Sequence, residues 1–190
     1  SDVAASKVLM NETLSDGLFQ LKITKKGLDA SGTANVGKVP ATISLKQNFG
    51  KKDKPYRTHY QISSRIKDAE QFMHEKFGFK FDESDYVRGP VQANFVMTSF
   101  DDKTSRGSLE LNMETATVSL LSLGWVKGAG IKGKIETDID FKNNKPTNIP
   151  RFKIDISDLK ANGSATFATG GKAVDKINLA SVKFGRTDMQ

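Results

Sequence analysis

Residues 28–34 read Leu-Asp-Ala-Ser-Gly-Thr-Ala, and residues 159–165 repeat the pattern as Leu-Lys-Ala-Asn-Gly-Ser-Ala. In both copies small or apolar residues alternate with polar ones, which is the period of a strand with one buried face. Small residues at alternate positions allow another backbone or a flat ligand to approach closely. The recurrence predicts a chain built of repeated β units, with a broad surface or groove.

Alternation of the same kind extends outward from both copies. Short polar connections such as Lys26-Gly27 and Gly37-Lys38 predict an antiparallel meander, and the polar stretch near 50–55 predicts a longer loop. Residues 101–103 and 143–146 have the composition of hairpin turns. The fold class is therefore mainly β. The predicted strands cover residues 17–24, 28–36, 39–48, 56–66, 87–95, 107–120, 131–141, 152–158, 164–168 and 176–184.

One segment changes period. From Asp68 the apolar positions are Ala69, Phe72, Met73 and Phe77, which is the spacing of a helix stripe. Asp68 suits the N-cap position, and Gly78 suits the end of the helix. This predicts a single short helix near 68–78 that plugs one end of the sheet or covers one face of it.

Composition narrows the class of protein. The chain has 190 residues, a net charge of +7 and no cysteine, so disulfides, thiol catalysis and thiolate metal sites are excluded. This charge fits a nucleic-acid or anionic-lipid surface, but the lysines lack the interleaved aromatics of a single-strand binder, and we interpret them as a solvated face and not as a nucleic-acid site. We interpret residues 1–190 as a single β segment excised from a longer protein.

No constellation typical of catalysis is found. Residues 128–133 match G-x-G-x-x-G, but the alternation that follows predicts a strand where a dinucleotide site needs a helix. His59 and His74 have no partners at metal-ligand spacing. Asp138 and Asp140 are ordinary for the solvent face of a strand. We predict no enzyme activity, no cofactor and no metal.

The remaining signal is an apolar face shared by several strands. This pattern fits both a closed core and an apolar groove, and the sequence does not separate the two. Trp125, beside Gly124, Gly128 and Gly130, fits either a groove rim or a core anchor. The candidate groove residues are Leu109, Leu111, Met113, Trp125, Ile131, Ile135, Ile139, Phe141, Ile154 and Ile156.

Residues 121–130, Leu-Ser-Leu-Gly-Trp-Val-Lys-Gly-Ala-Gly, resemble a Leu-Gly-Trp-x-Lys-x-x-Gly signature of the AsmA-like family of diderm bacteria, the group of AsmA, YhdP and TamB. Further motifs resemble that family in the same order along nearly the whole chain. They are Gly32-Thr33-Ala34 with Val39-Pro40-Ala41, then Phe77-Gly78-Phe79, Val87-x-Gly89-Pro90-Val91 and Phe184-Gly185-Arg186-Thr187-Asp188.

The resemblance implies a highly curved, incompletely closed antiparallel sheet, the β-taco or β-groove, with an apolar concave face. It also implies a parent protein tethered to the inner membrane by an N-terminal helix and extending through the periplasm. The function implied is movement of phospholipid, or another acyl-chain lipid, between the inner and outer membranes, and envelope integrity. The partners implied are that lipid and the remaining segments of the same parent chain.

Two other functions stay open at this stage. One is a structural scaffold or assembly factor for outer-membrane proteins, in which the apolar face is a closed core or docks a client strand. The other is a secreted hydrolase or sugar-binding β protein, which the missing catalytic set disfavours.

Overall fold

The computed structural model describes residues 3–9, 12–50, 55–72, 85–100, 102–171, 173–185 and 187–189. Strands make up 73% of the structure, and the described residues contain one short α-helical turn and one 3-10 helix, so the predicted mainly-β class is confirmed. The strands form a twelve-stranded antiparallel sheet and a separate three-stranded sheet.

The large sheet is a meander that is not closed into a barrel. Its strands follow one another in the order of the chain, and its first strand (Val3–Leu9) and last strand (Thr187–Met189) do not pair with each other. Its strands, in spatial order, are β1 (Val3–Leu9), β2 (Glu12–Thr24), β3 (Gly27–Val36), β4 (Val39–Asn48), β5 (Thr58–Ile66), β7 (Val91–Ser99), β8 (Thr104–Asn112), β11 (Gly133–Lys142), β12 (Lys145–Ile156), β13 (Leu159–Phe167), β14 (Val174–Phe184) and β15 (Thr187–Met189).

Two excursions from the meander build the small sheet. The first contains a helical turn at 69–72 and β6 (Asp85–Arg88), and the second contains β9 (Thr117–Leu120), a 3-10 helix (Leu121–Leu123) and β10 (Trp125–Lys127). Strand β9 lies between β10 and β6. The strand predicted at 107–120 is therefore two strands, because the chain turns at 113–116 to leave the large sheet.

The helix begins where the sequence predicts. The carboxylate of Asp68 accepts a hydrogen bond from the backbone N–H of Gln71 at 2.9 Å, which is the geometry of an N-cap. The predicted helix residues Met73, Phe77 and Gly78 lie outside the described residues. The turn at Asn143-Asn144 also follows its sequence, since both residues have a positive φ, as a two-residue hairpin turn requires.

One face of the large sheet, which we call the inner face, carries the apolar alternation. Directly opposed residues of neighbouring antiparallel strands lie on the same face. The register therefore defines a row that crosses the sheet from β3 to β14. That row is Gly32, Ile43, Ile62, Phe95, Leu109, Thr137, Phe152, Gly163 and Leu179.

The glycines of the two repeated motifs occupy equivalent places in this row. A β-carbon at Gly32 would overlap the backbone oxygen of Leu18, and one at Gly163 would overlap the backbone oxygen of Asn178. In both places the register with the outer neighbour shifts, between Ser15 and Leu18 and beside Gly163. The close approach predicted from the motif is therefore that of another backbone, at a β-bulge.

The two ends of the large sheet differ. At one end, the capped end, the small sheet and the helical turn pack on the inner face in a cluster that includes Ile66, Val91, Trp125 and Ile156. At the other, the open end, the described connections 25–26, 49–50, 55–57, 100, 102–103, 143–144, 168–171 and 173 join the strands. A second cluster in the middle, including Ile43, Tyr60 and Phe141, is built from sheet strands alone. Because its members lie on one face of one sheet, that face curves around them.

Candidate functional site

The inner face brings together most of the residues that the sequence predicts for a groove. Leu111 of β8 lies opposite Ile135 of β11, which lies opposite Ile154 of β12. The same register places Leu109, Met113, Ile139, Phe141 and Ile156 on the inner face, in rows on either side. The alternation of the sequence therefore predicted the shared face correctly.

Several hydroxyl groups on the inner face are bonded within the protein and so add little polarity to it. Ser64 Oγ donates to the carbonyl of Pro40 at 2.7 Å, and Thr137 Oγ1 donates to the carbonyl of Arg151 at 3.3 Å. The hydroxyl of Tyr60 donates to Met97 Sδ at 2.8 Å, and burial raises the pKa of Tyr60 to about 12. Ser105 Oγ donates to Ser99 Oγ at 2.9 Å near the open end. The inner face is thus a mainly hydrocarbon surface.

At the open end this surface reaches solvent along both edges of the sheet. On β2, Leu21 and Ile23 are 63% and 69% exposed, and they lie opposite Ala30 and Leu28. On β14, Ile177 and Leu179 are both 60% exposed, and they lie opposite Ala165 and Gly163 of the second motif. The sequence contained this signal in the alternation of 17–24 and 176–184, but alternation alone does not show which apolar residues stay uncovered.

Trp125 is a core anchor and does not lie on a groove rim. It belongs to β10 of the small sheet, its ring is buried, and its ring centroid lies 6.4 Å from that of Phe184. Its indole Nε1–H donates to the carboxylate of Asp158 at 2.7 Å. Trp125 therefore joins the small sheet to the far side of the large one, at the capped end.

Ile131 is also placed differently from the prediction. The strand predicted from residue 131 begins at Gly133, and Ile131 lies exposed in the connection that leads from β10 into β11. It borders a shallow depression shared with Asn112, Lys134 and Asp155, which are not on the inner face. The alternating pattern predicts a strand that begins two residues too early, because the irregular connection that contains Gly130, with its positive φ, continues through residue 132.

Lys127 is the lysine of the Leu-Gly-Trp-x-Lys signature, but its place in the fold was not predicted, and it has no accessible surface in the protein. Its ammonium donates to the carbonyls of Ala116, Met113 and Gly128, at 2.6, 2.7 and 3.1 Å. Desolvation by burial lowers the pKa of Lys127. The ammonium binds the carbonyls of the turn at 113–116, where the chain passes from the large sheet to the small one. The usual preference of lysine for the surface hides this role in the sequence.

The opposite, outer face is ionic. Asp138 accepts from Arg151 at 2.9 Å, and Asp140 accepts from Asn148 at 2.9 Å. Lys134 contacts both Glu110 and Glu136, and hydrogen bonds to these carboxylates raise its pKa. Asp138 and Asp140 thus form cross-strand pairs, which are common on the solvent-facing surface of a sheet.

No family model, curated protein or solved structure matches this chain. The resemblance to the AsmA-like family therefore stays a prediction. Among the described residues, no group of three His, Asp or Glu side chains lies close enough to hold a metal ion. None of the helices in the described part is long and apolar enough to span a membrane.

Proposed function

We propose that this chain is a segment of an apolar groove that holds the acyl chains of phospholipid. In this proposal it serves, as part of an AsmA-like protein, in phospholipid transport between the inner and outer membranes and in envelope integrity. The observation that carries the proposal is the exposure of the inner face at the open end. A core that was closed would cover Leu21, Ile23, Ile177 and Leu179.

The driving force would be burial of hydrocarbon. Each methylene group of an acyl chain that leaves water contributes about 0.8 kcal/mol, so a few contacts along the uncovered edges suffice for binding. The hydroxyls of Ser64, Tyr60 and Thr137 are already bonded within the protein and place no unpaired polar group against an acyl chain. The affinity of the groove for a lipid would therefore depend on the length of the acyl chain more than on the chemistry of the head group.

The cellular setting rests on the family resemblance. The proposal places the segment in the periplasm, in a parent chain tethered to the inner membrane by an N-terminal helix. The two outermost strands, β1 and β15, offer the edges on which further segments of the same chain would continue the sheet. An acyl chain could then pass from one segment to the next along the inner face.

A second candidate function is a scaffold or assembly factor for outer-membrane proteins. The same two edge strands favour it, because an unpaired strand edge accepts a client strand through backbone hydrogen bonds. In this alternative the inner face serves only as a core, and its exposed edge residues would contact the client protein.

Lipid extraction distinguishes the lipid-groove function from the scaffold function. The purified chain, extracted with organic solvent and analysed by mass spectrometry, is expected to carry phospholipid or fatty acid in a defined ratio to protein. A fluorescent fatty acid then provides a binding measurement on the delipidated chain. An empty chain that also fails to bind the fatty acid contradicts the groove and leaves the scaffold.

A pair of variants on β14 tests the inner face directly. Leu179→Asp places a charge on the exposed inner face, whereas Asn178→Asp places the same charge one residue away on the opposite face. Both positions are exposed, so neither variant is expected to unfold the protein. Leu179→Asp is expected to weaken fatty-acid binding at least about tenfold, since an acyl chain would have to desolvate the carboxylate. Equal binding by the two variants contradicts the proposal.

A further inference from the structure

The lysines of this chain are not distributed evenly between the two ends of the sheet. The described connections of the open end, with the terminal residue of each strand that they join, contain a single carboxylate, that of Asp102, which accepts hydrogen bonds of 2.6 and 3.0 Å from Thr104. One further carboxylate, that of Asp175, lies at the second residue of β14. The cations there are all exposed and belong to four different connections. They are Lys25, Lys26, Arg57, Lys103, Lys142 and Lys145.

The capped end is electrically balanced by comparison. Its described connections, with the small sheet that they contain, carry five cations and five carboxylates. The cations are Lys38, Lys67, Arg88, Lys127 and Lys132, and the carboxylates are those of Asp68, Glu70, Asp85, Glu114 and Asp158. The nine residues of β5 separate the two ends by about 27 Å, at about 3.3 Å per residue. This distance exceeds the Debye length of about 8 Å at physiological ionic strength, so the capped end does not offset the charge of the open end.

Exposed apolar side chains occur at both ends, with Leu121, Leu123 and Val126 at the capped end, but at the open end they accompany an excess of cations. Ile23 precedes the turn at Lys25, and Phe49 is 41% exposed with its backbone N–H bonded to the carbonyl of Lys26 at 2.9 Å. Val174, the first residue of β14, is 47% exposed on the far edge of the same end. A ring of lysines with large apolar side chains among them is the pattern of proteins that sit in the interface of an anionic membrane.

We infer that the open end docks on the surface of an anionic phospholipid bilayer. Lys25, Lys26 and the other cations of the ring contact the head groups, while Ile23, Phe49 and Val174 enter the acyl boundary. The uncovered edges of the inner face then meet the bilayer end-on, so an acyl chain moves between bilayer and groove without crossing water. The inference rests on the proposed function, which is the reason for choosing a lipid over other polyanions. It adds that the membrane binds at the open end and that the protein selects anionic head groups.

Vesicle flotation tests this with two triple variants of equal charge change. The open-end variant is Lys25→Glu, Lys26→Glu and Lys145→Glu, and the capped-end variant is Lys38→Glu, Lys67→Glu and Lys132→Glu. The vesicles are phosphatidylcholine alone and phosphatidylcholine mixed with phosphatidylglycerol. The wild-type chain is expected to float with the mixed vesicles only. One basic residue at an anionic surface changes affinity about fivefold, so the open-end variant should lose at least about tenfold and the capped-end variant much less.

Three results would overturn the inference: equal loss in the two variants, equal flotation of the wild-type chain with both vesicle types, or no flotation at all. A short DNA duplex serves as a second polyanion. If it binds through the open-end lysines while vesicles do not, the ring is a polyanion site and not a membrane site. Fatty-acid binding by the wild-type chain is measured in parallel. Fatty acid bound without flotation is a failure of this inference alone, and flotation without bound fatty acid is a failure of the proposed function.

Discussion

The capped and open ends are made from the same strands and the same alternating pattern, yet a second layer covers one of them and the other carries bare apolar side chains on its outermost strands. At the capped end, Ile156 is 4% exposed beneath the small sheet, while Ile177 near the open end is 60% exposed. The inserted segments, which are the helical turn and β6, β9 and β10, cover the capped end. Near the open end there is no such layer among the described residues, and the curvature of the sheet buries Tyr60 and Phe141 of the middle strands but not the apolar residues of β2 and β14. Alternation therefore determines which side of a strand is apolar, and curvature together with the inserted segments determines whether that side is covered.

The largest expected effect is at Lys127, which ties the inserted segments to the sheet. Lys127→Met keeps the length of the side chain but leaves the carbonyls of Met113 and Ala116 without their partner. An unsatisfied buried carbonyl costs about 1–3 kcal/mol, so the free energy of unfolding should fall by about 2–6 kcal/mol in urea denaturation. Lys132→Met is the control, because Lys132 is exposed in the following connection and should change stability by less than about 0.5 kcal/mol. Similar losses in both variants would contradict the role of Lys127.

The comparison of the two ends is tested by the same substitution at each. Ile156→Ala removes a buried side chain at the capped end and should lower the free energy of unfolding by about 2–5 kcal/mol. Ile177→Ala removes a side chain that already faces solvent and should cost under about 0.5 kcal/mol in the same measurement. A comparable loss at Ile177 would mean that the open end is covered in solution.

A substitution of Trp125 should lower the free energy of unfolding by a smaller amount, and the fluorescence of the residue offers a second test. Trp125→Phe loses the hydrogen bond to Asp158 and should cost about 1–3 kcal/mol. Because the ring is buried at the capped end, we expect the wild-type emission maximum to be blue and to stay unchanged when phospholipid is added. A blue shift of the emission maximum on addition of lipid would instead indicate that Trp125 lies on the rim of the groove.

Much of this fold could be predicted from the sequence. The period-two pattern predicted the shared face of Leu111, Ile135 and Ile154, and the Asp68 cap predicted the start of the helix. The break at 113–116 could not be predicted, because the residues of β8 and β9 alternate on both sides of it and the turn depends on the distant Lys127 ammonium. Likewise, the apolar character of Ile131 and Trp125 does not show whether each lies in a groove, in a core or in a connection, because that depends on residues that are near in space but not in sequence.

The smallest effect expected at neutral pH is at Tyr60, in the middle of the inner face. Burial raises the pKa of Tyr60 from 10.0 to about 12, so the unfolded chain ionises first as the pH rises. The stability that this provides is present below pH 10 and is lost between pH 10 and about 12, as the sign of the shift requires. Tyr60→Phe should lack this loss, so the difference in unfolding free energy between variant and wild type should change by about 2–3 kcal/mol across that window. Unfolding free energies of the wild type and of Tyr60→Phe that change in parallel between pH 10 and about 12 would contradict this prediction.

The matched glycines of the two repeated motifs have a mechanical consequence. Gly32 and Gly163 each sit beside a register shift with the outer neighbouring strand, on opposite sides of the sheet. A bulge interrupts the hydrogen-bonded ladder and bends the strand that carries it. The pairings from β3 to β11 contain no register shift, whereas shifts occur between β2 and β3 and in the three successive pairings from β11 to β14. The sheet thus has an uninterrupted centre, from β3 to β11, and two bent flanks that carry Leu21 with Ile23 on one side and Ile177 with Leu179 on the other. The width of the opening is then set by how far the two flanks bend, while the ladder of the centre stays intact.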